Sequence, residues 1–300
     1  KKGDIVIYES TVFPGCTEGE CVPVLSAASG LIYNTDFFCG YSPERINPGD
    51  KINRLENIKK ITSGSTYDVA IEVDELYRLI IKAGTYKAES IKVAEAAKIT
   101  ENIQRDVNIA LINELHQVFS MLGINTKSVI EAASTKWNFM KLSPGLVGGH
   151  CISVDPYYLI SKAQKSGYIL DLVRSAREIN NSMPQYLAND FLNNLVRRKI
   201  NPVNLKVVIL GFTFKENCPD IRNTKVVNLY QSLVQCGFKV EVFDPVADKK
   251  SVLEQYGLTL VEASVVTSRV AILAVGHEEV IGLCENVGFD YIYDFKGVLN

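Results

Sequence analysis

The period of the hydrophobic pattern changes several times along the chain. Short, nearly continuous apolar runs occur at 4–9 (Asp-Ile-Val-Ile-Tyr-Glu) and 36–41, and Ile58 to Ile61 reads as a third strand. Runs of that kind predict strands covered on both faces. Between them, segments near 17–28 and 67–83 carry the 3.6-residue period of helices. This alternation predicts the back half of a doubly wound, parallel α/β sheet over residues 1–84. From Thr85 to Leu122 there is neither Gly nor Pro, and Gly84 and Gly123 bracket these 38 residues. A continuous helix of that length would run roughly 57 Å, which predicts a rod joining domains or forming a dimer spine. The alternative is a break near Asn102 to Asn108, since Asn and Asp are mediocre helix formers.

The stretch 135–150, with Pro144, Gly145, Gly148 and Gly149, predicts a loop. Asp155 before Pro156 reads as an N-cap with Pro at the first helical position. Helical periodicity then continues to about Arg198, interrupted at Pro184, and Asn201-Pro202 marks a boundary. Beyond it, 206–211 opens a second α/β unit with further strands at 239–243, 270–275 and 291–295. The predicted domains are therefore 1–84, 85–200 (central and helical) and 201–300.

Composition narrows the function. Lys plus Arg number 32 and Asp plus Glu 34, a net charge of −2. That argues against nucleic acid or an anionic membrane as the main partner, because both require a basic surface. A local basic pocket for a phosphorylated ligand remains compatible with it. No run of 18 apolar residues predicts a transmembrane helix. The seven cysteines are odd in number, widely spaced and without a CxxC pair, which reads as reduced thiols in the cytoplasm. The three histidines have no metal-ligand spacing, so no metal is expected. The chain opens Lys1-Lys2-Gly3-Asp4 without Met or signal peptide, which reads as a fragment of a longer protein.

The sharpest chemical signal is the run from Val147 to Tyr158, VGGHCISVDPYY. Two glycines admit a ligand close to the backbone, and orphan N–H groups at a helix start favour a thiolate or an oxyanion. Cys151 there reads either as a nucleophile or as a buried structural thiol. Lys98 and Asn102, i and i+4 on the long helix, share a face. Ala94, Ala96 and Ala97 leave room for the Lys98 ammonium to reach a reacting oxygen; the alternative is a solvated lysine. Ser10 and Thr11, in the strand-end run 9–15, lie where hydroxyls line the crevice of a parallel sheet, or simply serve a turn. Glu44, in Ser-Pro-Glu-Arg after another strand, is a base or a surface acid. Gly211-Phe212-Thr213-Phe214-Lys215 follows a strand without being a GxGxxG fingerprint, which occurs nowhere in the chain.

Together the motifs EST-VFPG, SPER, AEAAKITENIQRDVNIALINEL, WNF, VGGHCISVDPYY, AREINNSMP and GFTFKENCPDIRNT resemble those of the UDP-glucose/GDP-mannose dehydrogenases, the nucleotide-sugar 6-dehydrogenases. They span residues 9 to 224, and 294–297 is similar to the family's closing strand. WNF with GGHCISVDPYY looks most like the branch acting on UDP-N-acetylglucosamine or UDP-N-acetylgalactosamine. The resemblance implies two Rossmann-like domains, the first truncated and lacking its N-terminal NAD fingerprint region, joined by a long central helix and a helical dimerisation region. It implies a homodimer that uses NAD and a UDP-sugar, with no nucleic acid or membrane partner.

The implied reaction oxidises the C6 alcohol twice, to a uronic acid for capsule or O-antigen synthesis. A thiohemiacetal and then a thioester on Cys151 retain the aldehyde. By the same resemblance, Lys98 stabilises the oxyanion, Asn102 positions it and the water, and Asp155 is a base or an orienter. Thr11 holds a water, and Glu44 assists hydrolysis. Ser10, Thr11, Val12, Cys151 and Arg222 meet NAD. Glu44, Lys98, Asn102, the 142–148 loop (Leu142, Gly145 and Gly148 among it), Phe214, Lys215 and Lys296 meet the nucleotide sugar. Where several relatives carry a second Glu, this sequence has Pro48, so Glu44 carries the hydrolytic role alone. Three other readings stay open: a UDP-glucose 6-dehydrogenase; a two-electron hydroxyacid dehydrogenase; and a dimerising, nucleotide-sugar-binding fragment that is itself inactive.

Overall fold

The structure, a computed structural model, describes residues 1–47, 49–50 and 52–299; Pro48 lies outside the described residues. The chain divides into two compact units, Lys1–Gln104 with Val154–Leu170, and Arg105–Ser153 with Asp171–Asn300. The elements follow in order as β1 (Ile5–Tyr8), α1 (Val22–Ser29), β2 (Phe38–Tyr41), β3 (Lys60–Thr62), α2 (Tyr67–Arg78), β4 (Thr85–Lys87), α3 (Ile91–Leu122), α4 (Thr126–Ala133), α5 (Asp155–Lys165) and α6 (Asp171–Arg197). Then come β5 (Lys206–Leu210), α7 (Val226–Gln235), β6 (Lys239–Phe243), α8 (Lys249–Tyr256), β7 (Val270–Leu273), α9 (Glu278–Asn286) and β8 (Tyr291–Tyr293). This is the expected α/β class, with every strand pair parallel among the described residues.

In the first unit β1 pairs with β2, Ile5 opposite Phe38 and Tyr8 opposite Tyr41. Side chains alternate across the strand. Val6 and Tyr8 pack with Val22, Tyr41 and Ile91 on one face, and Ile5 and Ile7 pack with Val69, Val73 and Tyr77 on the other. Apolar cover on both faces is why the run reads as continuous in the sequence.

Several sequence expectations are corrected here. Residues 85–87 do not begin the helix. Thr85 and Tyr86 suit a pleated surface and form β4, paired with β3. The helix starts at Ile91, where Ser90 Oγ accepts from Val93 N–H at 3.2 Å. It then runs unbroken for 32 residues, roughly 48 Å. Asn102 and Asp106 do not break it because their side chains bond to α5 and α6 instead of competing for their own backbone. Asp155 is not a cap. It is the first residue of α5, Val154 precedes it, and its carboxylate accepts from Asn102. Pro184 does not interrupt α6, which is continuous through it. Burial of Met183, Leu187, Phe191 and Leu195 along that face outweighs the roughly 3 kcal/mol that an internal proline costs.

The second unit is built on a parallel sheet of order β6-β5-β7-β8. Val207 and Ile209 of β5 face a core shared with α6 and α7, while Val208 and Leu210 face a smaller cluster with Val280 of α9. At the carboxyl end of β6, fully buried Asp244 organises the loop after β5. Its Oδ2 accepts from Phe212 N–H (2.5 Å), Thr213 N–H (3.0 Å) and His277 Nε2 (3.1 Å). Its Oδ1 accepts from the N–H groups of Val246 (2.7 Å) and Ala247 (2.8 Å).

Burial pushes the Asp244 carboxyl up, but the bonds from His277 and the backbone outweigh it and hold the group at about 2. A folded value below the ordinary one contributes stability above pH 4 that is lost as pH falls through about 2. From 3.8 to about 2, the contribution is about 2 kcal/mol at neutral pH. Asp244→Asn should therefore lower stability at pH 7 by roughly 2–3 kcal/mol in urea titrations, leaving donors imperfectly matched. The gap from wild type should narrow between pH 4 and pH 2. Equal stability at pH 7 would contradict this account.

Candidate active site

In the first unit the site is assembled on one face of α3. Glu95, Lys98 and Asn102 recur at three- and four-residue spacing, so they share a stripe, and all three are buried. Burying such groups is costly unless they are paired. Glu95 accepts from the N–H groups of Gly15 (2.5 Å) and Thr17 (2.8 Å), tying the loop after β1 to the helix. Asn102 Nδ2 donates to Asp155 Oδ2 at 2.5 Å. Lys98 is 8% exposed and has no hydrogen bond or ion pair among the described residues. An ammonium so placed is suited to a ligand oxygen that gains negative charge.

The loop after β1 presents Ser10 and Thr11 at the carboxyl edge of the parallel pair, and neither hydroxyl makes a hydrogen bond among the described residues. Val12 packs against the core behind them. Glu44 is more committed than the sequence suggests. Its Oε1 accepts from the N–H groups of Arg45 and Ile46, both at 2.6 Å, and its Oε2 lies 3.7 Å from Lys60 Nζ. Lys60 is 3% exposed and also pairs with Glu9 at 3.1 Å. Arg45 reaches Glu101 of α3 at 2.6 Å, so this loop too is anchored to the long helix.

In the second unit, a cavity of about 380 Å³ is lined by Ser143–Gly148, Phe214, Lys215, Glu216 and Lys296, among others. It thus gathers Gly145, Gly148, Phe214, Lys215 and Lys296; Leu142 directly precedes the lining segment. Lys296 Nζ donates to Glu216 Oε1 at 2.8 Å. Burial pushes the Glu216 carboxyl up, but the Lys296 ammonium more than offsets it and holds the group low. A side chain at Gly148 would meet Asn223 O at 2.9 Å, and Gly149, at φ +80°, lies against the Phe214 ring. Close approach of two backbones explains both glycines.

Asn223 Nδ2 donates to Gly149 O (3.0 Å) and to Ser153 Oγ (2.8 Å), bracing the turn that carries half-buried Cys151. Arg222 is held by Asp220 at 2.5 Å, which raises the guanidinium's pKa, and a thiolate at Cys151 adds a smaller attraction. Sequence reasoning missed Glu95, Lys60 and Asn223. For Glu95 a signal existed, an acid three residues before Lys98 among alanines. For the other two there was none, since their partners are distant in the chain.

Models of the UDP-glucose/GDP-mannose dehydrogenase family match three consecutive parts: the NAD binding domain at 1–81, the central domain at 92–182 and the UDP binding domain at 208–300. The UDP-N-acetyl-D-glucosamine 6-dehydrogenases of Salmonella typhi and Pseudomonas aeruginosa are each 53% identical to this chain, over 99% and 100% of it and 72% and 73% of their own lengths. The solved UDP-D-ManNAc dehydrogenase of Pyrococcus horikoshii, 30% identical, superposes with a TM-score of 0.87 over 100% of this chain and 70% of its own. The chain belongs to the UDP-glucose/GDP-mannose dehydrogenase family, enzymes that use NAD to oxidise nucleotide sugars.

One expectation is overturned: the N-terminal NAD region is not lacking, because the NAD binding domain model matches 1–81. The matched segment contains no GxGxxG sequence. The residues there fit the cofactor, since unbonded hydroxyls at a parallel strand's carboxyl edge can serve a ribose or a carboxamide.

Glu95→Ala would strip the N–H groups of Gly15 and buried Thr17 of their acceptor. Urea titration should show a loss of roughly 2–4 kcal/mol, with Glu95→Gln losing less because one acceptor oxygen remains. A loss below about 1 kcal/mol for the alanine variant would exclude this anchoring.

Proposed function

We propose that the chain is an NAD-dependent UDP-N-acetyl-D-glucosamine 6-dehydrogenase that converts the C6 alcohol of its sugar to a uronic acid for polysaccharide synthesis, in capsule or O-antigen. The ammonium of Lys98, almost buried on the α3 face that carries Asn102 and without a partner among the described residues, carries this reading: it suits an oxygen that becomes anionic during the reaction. Identity of 53% to two enzymes of that name supports the substrate.

In this reading Cys151 Sγ adds to the aldehyde carbon and forms a C–S bond, so the half-oxidised sugar stays attached. Lys98 stabilises the oxygen of that carbon as it becomes negative. Two NAD molecules, bound in succession, would each accept one hydride, one for each oxidation. Oxidation of the thiohemiacetal leaves a thioester; water then attacks, the C–S bond breaks and the thiol regains its proton. Asn102 holds the Asp155 carboxylate in place to orient the water or take its proton, Thr11 holds a water, and Glu44 assists hydrolysis. Ser10, Thr11, Val12, Cys151 and Arg222 hold the cofactor. The 142–148 segment passes over the sugar and pyrophosphate, and Phe214, Lys215 and Lys296 contact the nucleotide sugar.

The division into 1–84, 85–200 and 201–300 is supported by the three family-model matches, at 1–81, 92–182 and 208–300, each of which lies within one of those spans. A homodimer is supported by the exposed Leu111, Val118, Met121 and Leu122 of α3, which leave apolar surface to be covered. A cytoplasmic location accords with the free cysteines, and among the described residues no helix is long and apolar enough to cross a membrane.

With UDP-N-acetylglucosamine the enzyme should release two NADH per uronate. Cys151→Ser should lower turnover at least about a thousandfold while UDP-sugar binding by calorimetry is kept. One NADH per sugar, or free aldehyde at full rate from the serine variant, would refute covalent retention.

A further inference from the structure

The segment 139–148 has neither helix nor strand, so its backbone must find hydrogen bonds elsewhere. At Gly145 they come from one side chain on α3. Asn113 Oδ1 accepts from Gly145 N–H at 2.8 Å, and Asn113 Nδ2 donates to Gly145 C=O at 3.1 Å. The amide thus meets both polar groups of a single residue, as a neighbouring strand would, and its O and N assignment follows from that pairing. Its second N–H donates to Asn180 Oδ1 at 2.9 Å. Asn180 Nδ2 in turn donates to Asp106 O (3.0 Å) and Oδ1 (2.7 Å), and Asp106 pairs with Arg177 at 2.5 Å. Asn113, Asn180 and Asp106 are each 0% exposed. Gly145 itself lines the 380 Å³ cavity, where an added Cβ would lie 3.4 Å from Lys296 Cε.

We propose that Asn113 is a positioning residue for nucleotide binding. Through Gly145 it sets the course of the 142–148 segment along the cavity, and the buried α3–α6 network keeps its amide in register. The proposal rests on the reading above, in which this segment passes over the sugar and pyrophosphate. Both polar groups of Gly145 are engaged by Asn113, so Gly145 is the fixed point of the segment and its neighbours face the ligand.

The test compares Asn113→Ala and Asn113→Asp with wild type by hydrogen exchange and by calorimetry with UDP and with NAD. For the alanine variant, peptides covering 142–149 should exchange at least about tenfold faster while α3 and α6 keep their protection, and UDP should bind about tenfold more weakly. NAD affinity should stay within about twofold, a difference too small to reflect a lost hydrogen bond. Asn113→Asp keeps the acceptor for Gly145 N–H and should lie between the two. Asn113→Ser, which keeps one hydroxyl, replaces the alanine variant if that does not fold. Unchanged exchange at 142–149, unchanged UDP affinity, or equal loss of protection in α3 and α6 would overturn the proposal. Failure of the wild type to form uronate would strike the proposed reaction and leave these readouts valid.

Discussion

Satisfying the polar groups buried along α3 is the constraint on which the rest of the structure depends. Glu95, Lys98, Asn102, Asp106 and Asn113 recur at helical spacing on α3, which also buries His116. Each would cost several kcal/mol if left unpaired in the interior. Four of the five draw a distant part of the chain to the helix: the loop after β1, the start of α5, α6, and the segment at Gly145. The fifth, Lys98, has no partner among the described residues. An ammonium so placed suits an oxygen that becomes negative.

The second unit meets its own constraint at the carboxyl ends of its parallel strands. The loop after β5 must leave the sheet without stranding its N–H groups, and Asp244 receives two of them together with His277. The loop so held carries Phe214 and Lys215 to the cavity wall, and Gly148 and Gly149 let the cysteine-bearing turn close on Phe214. Rigidity at the base and close approach at the rim are one arrangement, because a loosely held ring could not serve as the surface against which two glycines pack.

Legibility followed the range of the interactions. β1, β5 and β7 were readable because apolar cover on both faces leaves an apolar run in the sequence itself. The unbroken course of α3 was readable from the absence of Gly and Pro, but its start was not. Nothing local distinguishes Thr85-Tyr86-Lys87 as a strand until β3 supplies the other edge. Asp155-Pro156 has the local form of a capped start, yet Asn102, 53 residues away, takes the carboxylate. Pro184 reads as a break, yet sits in a continuous helix because the core around it outweighs the local penalty.

The sequence by itself determined the α/β class, the long helix, and the glycine pair before Cys151, since these rest on local periodicity and on residue types with few uses. It also carried the motifs by which Lys98, Asn102 and Cys151 stand out. Tertiary structure alone decided which polar residues are spoken for: Glu95 holding a loop, Asn113 holding Gly145, Glu44 bound to its own turn, and Lys98 without a partner among the described residues. Partnership between groups tens of residues apart depends on three-dimensional closeness, and no spacing along the chain encodes it.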